Sequence, residues 1–144
     1  MLAAFLLRLA LGLELPWLAL RQQDVTFKLV TGLVLTAFIG AQWLLAVSRV
    51  RRWLRAAKML YPWHQVSGSV APLLFFAHSM RLGVGYLALL ALVFFANHAL
   101  ALCEPRAGAR ARTWRSPWLA SHVALSVLLV ALGGYHVFTA LSYE

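Results

Sequence analysis

Four histidines repeat one interval. His64 and His78 are fourteen positions apart, and so are His122 and His136, each pair inside a strongly apolar stretch. On an α-helix, fourteen steps of about 100° end roughly 40° short of four turns, so both members of a pair face nearly the same way. The same steps climb ~21 Å, a large share of the ~30 Å hydrocarbon core of a bilayer. Two helices of this kind side by side would offer two facing histidine pairs near opposite membrane surfaces. A metal porphyrin needs such pairs when the protein fills both axial positions.

Composition supports a membrane setting. The 144 residues make one domain's worth of chain, 62% hydrophobic and 12% charged, against roughly 25% charged in a soluble domain. So few charges could not cover a soluble core. The single cysteine, Cys103, excludes an internal disulfide framework and any four-cysteine metal or iron–sulfur site, and no C-x-x-C-H run exists for covalent haem. The net charge of +9 does not point to nucleic acid, because the basic residues gather in short gaps between apolar stretches, where topology-setting charges belong.

The apolar pattern predicts an all-α membrane protein, a single transmembrane domain over residues 1–144. It is a bundle of five helices at about 2–20, 25–47, 62–80, 84–102 and 117–141, each near the ~20 residues of a span. The first is interrupted by Arg8, Glu14 and Pro16 and reads equally as a span, an interfacial helix or an uncleaved anchor. Arg8 and Glu14, six positions apart, share no helix face well and can meet other spans or a partner subunit. Pro62 and Pro117 stand where helices are expected to begin, since a first helical position needs no N–H. Pro72 should kink the third helix, and Gly83-Val84-Gly85 marks a tight turn. The longest polar stretch, about 103–116, is too short to hold a nucleotide or flavin.

Charge sets direction. Arg49, Arg51, Arg52, Arg55 and Lys58 lie between the second and third spans, and Arg106, Arg110, Arg112 and Arg115, against Glu104, between the fourth and fifth. The opposite gaps hold Arg21, Asp24 and Lys28 in one and Arg81 in the other. Positive loops stay in the cytoplasm, so the third and fifth spans are expected to run parallel, with the C-terminus outside. His64 and His122 then fall near the inner surface and His78 and His136 near the outer one. The expected sites follow: His64 with His122 for an inner haem, His78 with His136 for an outer haem. In each, one ring nitrogen faces iron and the other N–H reaches a carbonyl or hydroxyl that fixes the ring. The competing reading makes each histidine an interhelical hydrogen-bonding residue.

Other residues carry secondary expectations. Gly68, with Ser67 and Ser69, and Gly133, with Gly134, would clear space for a flat macrocycle, or simply let helices approach closely. Arg81, one turn beyond His78, is the candidate partner of outer-haem propionates; Arg115, Arg55 or Lys58 could serve the inner ones. His98, beside Asn97, lacks a partner at the repeated interval; it could line a quinone pocket or proton path, replace an inner ligand, or be a satisfied core residue. Trp43, Trp53, Trp63, Trp114 and Trp118 read as an aromatic belt.

From about Pro62 to Leu141 the chain resembles the ferric-reductase-type transmembrane domain, the di-haem bundle of ferric reductases, NADPH oxidases and related cytochromes b. The resemblance rests on His64-x13-His78, the helix holding His98, and His122-x13-His136. The fragments His64-Gln65-Val66-Ser67-Gly68 and Ser121-His122-Val123 read like that family's ligand helices. It implies that these four histidines bind two b haems and pass electrons across the bilayer. Other cytochrome b subunits of respiratory dehydrogenases use paired histidines too. The FAD- and NADPH-binding region of the family is missing here, so its reductase activity is not carried over.

The expected function is therefore a di-haem electron-transfer subunit of an oxidoreductase complex rather than a stand-alone enzyme. It would lie in a bacterial inner membrane and exchange electrons with a redox partner subunit or with quinone, as part of a hetero-oligomeric complex. Two alternatives stand beside it: a non-redox structural or assembly subunit, and a subunit binding chlorophyll-type pigment, since imidazole also ligates magnesium.

Overall fold

In a computed structural model, residues 7, 11–13, 15–105 and 109–142 are described. Arg8, Glu14, Arg106 and about half of the first expected span lie outside them; in its described part Leu11 and Gly12 form a turn before the short helix Pro16–Arg21, so the expected stretch is not one continuous helix. Every regular element among the described residues is an α-helix. In chain order these are α1 (Pro16–Arg21), α2 (Val25–Gln42), α3 (Leu44–Val50), α4 (Leu54–Gly68), α5 (Ala71–His78), α6 (Tyr86–Leu102) and α7 (Ala109–Ser142). The chain divides into two compact units, Met1–Arg81 and Leu82–Glu144.

The first unit is built on a helical hairpin. Asp24 starts α2 by accepting the Phe27 N–H at 2.8 Å, a cap of the kind that stabilises a helix by ~1 kcal/mol. The helix runs on through a single tightened turn at Trp43, whose N–H bonds the Gly40 carbonyl at 3.1 Å, so that Val25–Val50 forms one 26-residue rod. It ends in a Schellman turn. The Arg52 N–H bonds the Arg49 carbonyl at 3.1 Å, and the Trp53 N–H bonds the Ser48 carbonyl at 2.8 Å. Arg52 takes the left-handed conformation with φ 57°, a position usually given to glycine. The chain then returns antiparallel. Along the rod, polar partners rise from Thr31 to Gln42 while those on the returning helices fall from His78 to Ser67 and His64.

The returning arm departs from expectation in two ways. It begins at Leu54, so Pro62 lies inside α4 rather than at its start. The preceding Leu-Arg-Ala-Ala-Lys-Met-Leu are strong helix formers and extend the helix backward, at the expense of the bond Pro62 cannot donate. Arg55 and Lys58, expected in a loop, therefore stand on a helix. The arm also breaks between the two histidines. Pro72 has no N–H for the Gly68 carbonyl, and its ring would collide with that carbonyl. Accordingly α4 stops at Gly68, and α5 restarts with Pro72 in its first turn. Pro72 is among the most deeply buried side chains, beside buried Ala71 and Phe75.

The second unit is another hairpin. Gly83 (φ 74°) and Gly85 (φ 60°) form the turn that leads into α6. A Cβ on Gly83 would stand 2.6 Å from Leu87 Cβ, so both backbone angle and space require glycine there. The rising series Tyr86, Asn97, Leu100 on α6 meets the falling series Thr139, Ser126, Trp118 on α7. Here too the expected start is displaced: Pro117 lies inside the 34-residue α7, which begins at Ala109 and carries Arg110, Arg112 and Arg115 on its first turns. Unlike the first unit, this one keeps its histidine pair on a single unbroken helix.

Val25–Val50 and Thr113–Ser142 are long and apolar enough to cross a membrane, and Tyr86–Leu102 is a shorter apolar helix. The most apolar 18-residue stretches of the two long helices are only 11% and 6% buried. Large apolar side chains such as Leu33, Val34, Val127 and Val130 face outward, as on helices that meet lipid rather than a protein core.

Replacing Arg52 by Gly relieves the left-handed strain at an exposed turn. Stability in reversible denaturant unfolding should rise by about 1 kcal/mol, and an unchanged midpoint would show the turn to be unstrained.

Candidate functional site

Within the first unit both histidines lean on the same helix. The His64 Nδ1 lies 3.2 Å from the Gln42 carbonyl oxygen. A carbonyl only accepts, so Nδ1 carries the hydrogen and Nε2 the lone pair. The His78 Nδ1 lies 3.3 Å from Thr31 Oγ1. That hydroxyl already donates to the Phe27 carbonyl at 2.8 Å, with a longer contact to the Lys28 carbonyl at 3.2 Å. Its hydrogen is committed, so it accepts from His78, and Nε2 again holds the lone pair. Thr31 and Gln42 are eleven residues apart, three turns and about 20°, which puts them on one face ~16 Å apart along the helix. The break at Ser69–Val70 thus does not scatter the two rings, because the opposite helix aligns them.

Neighbouring side chains hold this alignment. Gln42 uses its backbone carbonyl on His64 and its side-chain amide on Ser67 Oγ at 2.8 Å, and Ser67 in turn donates to the Trp63 carbonyl at 2.6 Å. The buried Gln42 Oε1 has no hydrogen-bond partner. At the far end Gln22 clamps the terminus of α5. Its amide donates to the Phe76 carbonyl at 2.9 Å and the Ala77 carbonyl at 3.0 Å, and it accepts the Met80 N–H at 3.1 Å. Carbonyls in a last helical turn have no partner within the helix, and Gln22 supplies one beside His78. Gly32 gives the ring room, since a Cβ there would approach His78 Cε1 to 3.0 Å.

In the second unit, His122 stacks on Trp118, with ring centroids 5.6 Å apart and planes within 5°. Trp118 is fixed by donating its indole N–H to the Leu100 carbonyl at 2.8 Å. It therefore holds a histidine in place and is more than a member of an aromatic belt. The His122 carbonyl accepts Ser126 Oγ at 2.7 Å, and Ser126 accepts the Asn97 amide at 3.1 Å. The buried Asn97 Oδ1 has no hydrogen-bond partner. His98 follows it on α6, half-buried. The His136 Nδ1 lies 3.5 Å from Tyr86 Oη, with ring centroids 6.3 Å apart.

The remaining expected residues are plainly placed. Arg81 is exposed just past α5, in a turn where Ser79 Oγ donates to the Arg81 carbonyl at 2.7 Å. A Cβ on Gly68 would meet only Gln42 Oε1, at an ordinary 3.7 Å; on Gly133 or Gly134 it would meet nothing within 4 Å. Within the second unit, no atom of another helix stands against Gly133 or Gly134. The close approach is at Gly32, which carries no signal in the sequence. Arg55, Lys58 and Arg115 are exposed.

Whether these residues suit a haem turns on donor chemistry. Among the described residues no three or more of His, Cys, Asp and Glu gather to hold a bare metal ion. A porphyrin supplies four of iron's ligands itself and asks the protein for two imidazoles. His64 and His78, which donate through Nδ1 and keep a lone pair on Nε2, have the donor chemistry that this requires. No family model, curated protein or solved structure matches the chain.

Replacing Gln22 by Leu removes the clamp with little change in volume, leaving two carbonyls and one N–H unsatisfied at a cost of ~1–3 kcal/mol for each buried group. Hydrogen exchange of the amides at 77–80 should accelerate by at least tenfold, and exchange equal to the parent protein would mean that Gln22 does not hold this end.

Proposed function

We propose that the chain is a di-haem b-type cytochrome subunit that carries electrons across a membrane. His64, His78, His122 and His136 are its axial ligands, in the pairing that their intervals imply: His64 with His122 inside, His78 with His136 outside. The observation that carries this reading is the ring hydrogen bonding. At His64 and His78 an acceptor on the neighbouring helix holds Nδ1–H, which directs the Nε2 lone pair to coordination. Bound there, haem supplies a one-electron couple whose potential follows ligand basicity and burial. The chain's own work is to orient the rings, keep them neutral and exclude water.

The rest of the proposal follows from composition and apolar length. The bundle spans the membrane at about 25–47, 62–80, 84–102 and 117–141, with the N-terminal stretch as a fifth span, an interfacial helix or an anchor. The arginine-rich segments are cytoplasmic and the C-terminus is outside, in a bacterial inner membrane. Arg81 is the candidate partner of outer propionates, and His98 is the candidate to line a quinone pocket or to act as an alternative ligand. Electrons come from, or leave to, quinone or a partner subunit within a larger complex.

An absorption spectrum of the purified protein tests this directly. Reduction by dithionite should bring up the sharp α and β bands of six-coordinate haem b. His136→Ala should lose about half the pigment, since one of two sites remains. Far-red bands would indicate chlorophyll-type pigment, and a colourless protein would indicate a structural subunit. Full haem content in all four single alanine variants would overturn the ligand assignment.

A further inference from the structure

Three side chains in the second unit form a closed hydrogen-bond circuit. Thr139 Oγ1 donates to the His136 carbonyl at 2.9 Å, so its one hydrogen is committed. The Tyr86 Oη lies 3.1 Å from Thr139 Oγ1, and Tyr86 must be the donor there. Its own single hydrogen is then spent as well. Toward His136 Nδ1, at 3.5 Å, Tyr86 Oη has only lone pairs to offer, so this contact is a hydrogen bond when the ring nitrogen carries the hydrogen. The circuit starts at the His136 ring and ends at the His136 main chain.

We infer that Tyr86 and Thr139 are positioning residues that lock the tautomer of His136, with Thr139 setting the direction of every hydrogen in the circuit. Fixing Nδ1–H leaves the lone pair on Nε2, the nitrogen that the proposed haem coordination uses; the consequence rests on that reading, while the lock itself does not. Local structure gives each member its place. Gly83 and Gly85 deliver Tyr86 at the first position of α6. Its ring is wedged edge-on against Tyr135, centroids 5.2 Å apart at 76°, which leaves the hydroxyl aimed at α7. Thr139 is three residues beyond His136, where a hydroxyl reaches back to the carbonyl one turn earlier. Remove the threonine hydroxyl, and the tyrosine is free to turn its hydrogen into Nδ1 and reverse the ring.

The test is nitrogen-15 NMR of histidine-labelled full-length protein in lipid nanodiscs, produced under haem-limiting conditions and recorded at a pH where imidazole is neutral. Wild type should show His136 predominantly as Nδ1–H. Thr139→Val, which does not touch the ring, should shift it to predominantly Nε2–H, and Thr139→Ser should restore the original form. Tyr86→Phe should end the predominance of Nδ1–H. A wild-type ring found as Nε2–H, or a Thr139→Val ring that stays Nδ1–H, would overturn the lock. Haem content is measured separately on the same variants. A tautomer that reverses without loss of haem upholds the lock and removes His136 from the ligand set; a tautomer that never reverses removes the lock whatever the haem content.

Discussion

A polar side chain on an otherwise apolar helix has to find its hydrogen-bond partner on the neighbouring helix, because nothing else close by can supply one. Both hairpins are organised by that requirement. Gln22 satisfies the end of α5, Gln42 satisfies Ser67 and His64, and Thr31 meets His78. In the second hairpin, Asn97 reaches Ser126, Trp118 reaches Leu100 and Tyr86 reaches Thr139. Apolar packing alone tolerates sliding and rotation of one helix on another. These directional contacts set register and rotation, so the histidine rings are held in place by the same bonds that assemble the hairpins.

The hydrogen bonds also determine chemistry. An imidazole can be donor or acceptor at either nitrogen, and its partner decides which. A main-chain carbonyl at His64 leaves no choice, and at His78 a hydroxyl whose hydrogen is already committed leaves none either. Histidines serving only as interhelical contacts would be under no pressure to present the same nitrogen. At His64 and His78 the contacts leave the same nitrogen, Nε2, for a further partner.

Much of the helical layout was legible in the residues. The second, fourth and fifth apolar stretches correspond to Val25–Val50, Tyr86–Leu102 and Ala109–Ser142, because long apolar runs without charges have few alternatives to a helix. A disturbance at Pro72 was legible, as a kink rather than the full break that forms, since a missing N–H acts locally. Helix starts were misplaced at Pro62 and Pro117. A proline is tolerated inside a helix when strong helix formers precede it, and charge clusters expected as loops then become helical turns. The signal for Trp118 was its position four residues before His122, the spacing at which helical side chains meet.

The linear sequence determined which residues can do chemistry and their spacing along the chain: four histidines at a repeated interval, apolar stretches of near-membrane length, and basic residues at their ends. These are local properties, fixed by residue type and helical period. Only tertiary structure decided which nitrogen each ring presents and what holds it there. Thr31 and Gly32 meet His78 from 47 and 46 positions away, and Tyr86 meets His136 from 50. Such pairings depend on how a hairpin closes and on which face each helix turns inward, and no periodicity within a single helix encodes that.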